Sequence, residues 1–90
     1  MDAALSQQWV VVQFNPSTTM ATARHVTAAC SKVPHVRLQT LTRNKAQTGL
    51  AESARYNVTH ASDSDTSKLQ ECLQRFRSVQ GLTVNEAGGY

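Results

Sequence analysis

Two one-sided apolar stripes at helical spacing, each set between runs of strand-forming residues, constrain this chain more than any other feature. The first is Met20, Ala23, Val26, Cys30 and Val33, recurring at steps of three and four. Arg24, Thr27, Ser31 and Lys32 fall mostly off it. Ser17 or Thr18 can cap the helix start, although no acid stands three positions later to complete a capping box. Lys32 suits the negative helix end, and Pro34 closes the helix. The second stripe, Leu69, Cys72, Leu73, Phe76 and Val79, predicts one apolar face through Ser67 to Gln80. Asp63, Ser64 and Asp65 are candidate caps, and Glu71 and Arg75 form an i,i+4 pair in the favourable order. Gly81 is expected to supply a left-handed stop.

Strands fill the intervals. Trp9 to Phe14 is apolar and β-branched and ends in Asn15-Pro16-Ser17; so continuous a run predicts a central strand. Val36 to Leu41 alternates, with Val36 and Leu38 pointing one way and Arg37 and Gln39 the other. Thr42 to Ser53 is polar, contains Gly49 and reads as a long loop, with Leu50 and Ala51 available for a short helical turn. Arg55 to His60 reads as a third strand with Tyr56, Val58 and His60 on one face, and Leu82 to Asn85 as a short fourth. The order is two strand–helix–strand units in tandem. It predicts an α+β domain, a four-stranded antiparallel sheet in order 4-1-3-2 with two antiparallel helices on one face: the ferredoxin-like sandwich. The same elements in a different strand order are the alternative. The domain is read over residues 8–86, between a flexible N-terminal segment, 1–7, and a C-terminal tail, 87–90.

Both cysteines sit on the apolar stripes. With antiparallel helices, Cys30 late in the first and Cys72 early in the second come together, and a disulfide follows if their Cα atoms approach within about 4.4–6.8 Å. The other reading is two ordinary buried thiols. An oxidised pair implies an extracytoplasmic place, whether secreted, periplasmic or cell-surface; a reduced pair implies the cytoplasm. Met1 to Gln8 shows neither the basic nor the apolar region of a signal peptide, which under the oxidised reading means a trimmed N-terminus.

Composition narrows the rest. An apolar share of 40% and a charged share of 17% suit one soluble globular domain, and no run is long enough for a membrane-spanning helix. The net charge of +3 comes from scattered basic residues and reads mainly as solubility. A metal carrier of this fold needs Cys-x-x-Cys after the first strand, and an acylphosphatase-like enzyme needs an arginine- and glycine-rich cradle there; Asn15 to Thr19 offers neither. His25, His35 and His60 form no metal-binding spacing, and His60 is read as stabilising its loop near Asp63 and Asp65. No catalytic residue, metal site or cofactor is assigned. Base stacking would fall to Tyr56 alone, so nucleic acid is not an expected partner.

Val10-Val11-Val12 leading through a polar turn to Thr18, then Val33-Pro34-His35-Val36, Asp65 leading into Leu69 and Leu73, and Val79-Gln80-Gly81-Leu82 together span most of the chain. In these segments it resembles the extracellular domain of FtsX-type cell-division permeases and similar secreted actinobacterial modules. The resemblance implies an extracytoplasmic module that binds a partner protein or senses the envelope. The functional expectation is therefore a non-enzymatic protein-interaction domain. Arg37, Arg43, Lys45 and Arg55, clustered around the central hairpin, and Tyr56 are the candidate contact residues. The alternative is a cytosolic regulatory or small-ligand domain that dimerises through its uncovered sheet face, with Trp9 or Val11 beside Tyr56 or Arg55.

Overall fold

The computed structural model describes residues 7–87. It runs β1 (Gln7–Phe14), α1 (Met20–Cys30), β2 (Arg37–Arg43), β3 (Ala51–Asn57), α2 (Asp63–Gln74) and β4 (Val79–Ala87). The strands form one antiparallel sheet in the order β2-β3-β1-β4, which is the expected 4-1-3-2 read from the other edge. The fold is the ferredoxin-like α+β sandwich. The apolar run at Val10 to Phe14 sits in β1, inside the sheet, where it pairs with β3 on one side and β4 on the other. Apart from Gln7 and Ala87, which pair with each other, the expected flexible segment and tail lie outside the described residues.

Period-two alternation sorts the sheet into two faces. Val10, Val12, Ala54 and Tyr56 face the helices and are buried there with Met20, Ala23, Val26 and Cys30 from α1 and Leu69 and Leu73 from α2. Thr19, not Ser17 or Thr18, caps α1: its hydroxyl accepts from Thr22 N–H at 3.1 Å. Ser62 caps α2, and Asp65 completes a capping box that makes the first turn self-sufficient.

Several boundaries differ from expectation: β4 runs Val79–Ala87, well beyond the short Leu82 to Asn85 expected, and α1 ends at Cys30, before Pro34. The loop between β2 and β3 is shorter than predicted, because polar Thr42 and Ser53 pair across the edge of the sheet. Its ends are tied to the start of α1: Met20 N–H donates to Gly49 O and Ala51 N–H to Thr18 O, each at 2.9 Å. Leu50 and Ala51 therefore belong to a bridge and a strand, not a helical turn. At its other end β3 stops at Asn57, so Val58 is buried beyond the ladder while His60 is exposed in a turn. Finally, α2 ends at Gln74; Phe76 reaches the core from the turn that follows and Val79 from the start of β4. Gly81 stands in β4 opposite Gln13 without a left-handed backbone, so it is no helix stop.

Cys30 and Cys72 form a disulfide with Cα atoms 5.7 Å apart. Three contacts fix the antiparallel helix pair: His35 with Asp65, Cys30 with Cys72, and the His25 ring edge-on to Phe76. The sequence placed Cys72 early in its helix, but it lies in the last turn of α2. The reason is register: α2 begins beyond the end of α1, and its first turn lies alongside His35.

Tyr56 is wholly buried, so it is corrected from a contact residue to a core residue. Its hydroxyl donates to Thr27 O at 2.6 Å. Burial pushes the phenol above its ordinary pKa, opposed in part by the Ser31 hydroxyl. Thr27 O also accepts from Ser31 N–H at 2.9 Å, so it keeps a partner when the phenol is removed. Tyr56→Phe is accordingly expected to cost about 1 kcal/mol, the low end for a buried hydrogen bond. The shift of the urea midpoint at unchanged slope measures it.

Candidate binding surface

The face of the sheet away from the helices carries the chain's one tryptophan. Cross-strand register arranges that face in rows. One row is Arg37, Asn57, Trp9 and Asn85; the next is Thr40, Arg55, Val11 and Thr83. Arg55 lies one row from Trp9, and its guanidinium carbon sits 5.4 Å from the centroid of a Trp9 ring. This cation–π stack takes Arg55 as its cation. The Trp9 indole N–H is buried and has no hydrogen-bond acceptor among the described residues. Arg37 and Arg55 likewise have no ion-pair partner there. The face thus holds a compact set of donors with no acidic side chain in the two rows; Glu52 borders the second row, sharing a shallow pocket with Val11, Gln13, Ser53 and Gln80.

The expected basic cluster divides. Arg37 and Arg55 share the open face, whereas Arg43 ends β2 and Lys45 lies in the turn that follows. Arg37 and Arg43 are at opposite ends of one strand, about 20 Å apart at strand rise. Tyr56 is on the other side of the sheet. Of the aromatic pairings weighed for the open face, the structure brings together Trp9 and Arg55.

Beside the first row lies a cleft of about 440 Å³ lined by His35, Arg37, Asn57 and His60. Arg37 opens β2 and Asn57 closes β3 directly across from it. His35 precedes β2 with φ 66°, a left-handed conformation unusual outside glycine, and its Nδ1–H donates to Asp65 Oδ2 at 3.2 Å. His35, not His60, is therefore the histidine bonded to Asp65. That bond is the main cause holding the Asp65 carboxyl below its usual pKa; Ser62 adds to it and desolvation opposes it. Sequence spacing could not reveal this cleft. His35 and His60 become neighbours only once β2 and β3 pair and β3 stops at Asn57.

No family model, curated protein or solved structure matches this chain.

Proposed function

We propose that this domain is a non-enzymatic interaction module of an oxidising, extracytoplasmic compartment that takes an acidic protein segment on its open sheet face. The observation that carries the reading is the Trp9–Arg55 stack beside Arg37: an aromatic and two guanidinium groups with no ion-pair partner among the described residues, the residue types that dominate interface energetics. Arginine matches carboxylates through two parallel N–H bonds, so an acidic segment is the complementary occupant. The Cys30–Cys72 bond supports the compartment, because disulfides persist where thiols are not kept reduced. The FtsX-type resemblance implies an extracytoplasmic module that binds a partner protein or senses the envelope, with which this reading agrees. Single-stranded RNA is the weaker fit, since stacking needs a free aromatic face and Arg55 already lies over the Trp9 ring.

Trp9 reports on its own surface, because no other tryptophan contributes to the fluorescence. Titration with a Glu-rich peptide is expected to change that fluorescence saturably, and a Lys-rich peptide to leave it unchanged. Arg55→Ala is expected to weaken the response at least tenfold, with the far-UV spectrum unaltered. Three results overturn the assignment: no response to the acidic peptide, a response to single-stranded RNA instead, or a stable dimer by light scattering that Trp9→Glu dissociates. Two free thiols in protein isolated from its native host would overturn the compartment.

A further inference from the structure

We propose that the cleft between the start of β2 and the turn after β3 is an oxyanion site that takes a carboxylate or phosphate group. The four lining residues among the described ones all carry N–H donors, and none of the four is acidic. Arg37 provides a permanent charge and a planar fork suited to an oxyanion, and it has no ion-pair partner among the described residues. Asn57 stands directly opposite Arg37 in the ladder, so the two groups are held by paired backbone and not by a flexible loop. The carboxylate of Asp65, which reaches the cleft histidine His35, is engaged by His35 Nδ1 and by Ser62 N–H. That engagement orients the ring.

The left-handed backbone at His35 is a second pointer to a site. A non-glycine residue holds that conformation only where its surroundings over-determine it, and such outliers gather where a side chain must be aimed. The cleft's volume of about 440 Å³ falls in the range of small-ligand pockets and exceeds a lone phosphate, so the oxyanion is expected to be one end of a larger molecule.

This inference does not depend on the acidic-segment reading, because a free anion tests it. Inorganic phosphate and acetate are titrated separately into the oxidised, 15N-labelled chain in a zwitterionic buffer. Saturable shifts are expected at Arg37, Asn57 and His60. Arg37→Gln and His60→Asn should each weaken binding at least tenfold, while Lys45→Gln, beyond the far end of β2, should leave it unchanged. Phosphate binding without acetate binding assigns the site to phosphorylated ligands, and the converse assigns it to carboxylates. Shifts that grow linearly without saturating, or that Lys45→Gln weakens as much as Arg37→Gln, reduce the effect to general screening and overturn the site. A failed acidic-peptide titration with intact phosphate binding would remove the proposed function and leave this site standing.

Discussion

Reducing the Cys30–Cys72 bond is expected to lower the unfolding free energy by about 4 kcal/mol, from the chain entropy released when a loop of this length is opened. The bonded residues are 42 apart in sequence, so the link restrains nearly half of the unfolded chain. For a domain of this size the melting temperature should fall by about 20 °C or more. The effect is large because the core is small: one layer of β1 and β3 side chains lies against two short helices. Reduction alters no side-chain volume appreciably, so the loss reports the crosslink and not a cavity. The comparison is made by calorimetry on oxidised protein and on protein reduced while unfolded, then refolded with the reductant present. Reduction of the folded chain is expected to go through attack on Cys72, which is half-buried, because Cys30 is wholly buried. Equal melting temperatures for the two forms would show that the link adds nothing and would remove the main support for an oxidising compartment.

The architecture was legible because its signals are periodic. Met20, Ala23, Val26 and Cys30 mark one helix face, and Leu69, Cys72 and Leu73 the other; every one but Cys72 is buried in the core, and Cys72 packs against it. The run at Val10 to Val12 marked a strand with neighbours on both sides. What periodicity cannot resolve is phase against a partner. Thr42 and Ser53 look like loop residues until they pair across an edge, and Phe76 and Val79 continue a helical spacing that the backbone abandons after Gln74. Tyr56 shows the same limit in the site. Its alternation with Arg55 was visible, but an aromatic hydroxyl suits either an open face or a core with a carbonyl waiting. Thr27 O, supplied by α1, decides for the core. The contact surface was half legible, since Trp9 and Arg55 lie in strands whose alternation is readable. The cleft was not legible at all: His35, Arg37, Asn57 and His60 come from two strands and two connections, and only the β2–β3 register brings them together.

Leu69→Ala is expected to destabilise the oxidised protein by about 3–4 kcal/mol, within the range for truncating a fully buried leucine. Leu69 is wholly buried in the middle of α2, one turn before Cys72 and Leu73 on the same face. The disulfide limits how far α2 can move toward the sheet, so the space left by the missing isobutyl group should stay largely open. Collapse is the usual relief from a cavity, and here the crosslink restrains it. This gives the prediction its sign of coupling. In the reduced protein the helix is free to settle, and Leu69→Ala should cost less than it does in the oxidised one. The total stability of a 90-residue chain is about 5–13 kcal/mol. With that coupling the two losses come to less than their simple sum of about 7–8 kcal/mol, and at the low end of that range this still leaves the reduced variant largely unfolded. Denaturant melts of the four forms, oxidised and reduced with Leu69 or Ala, close the cycle. If the two losses add without coupling, α2 already settles freely with the bond intact, and the disulfide does not restrain the helix against the sheet.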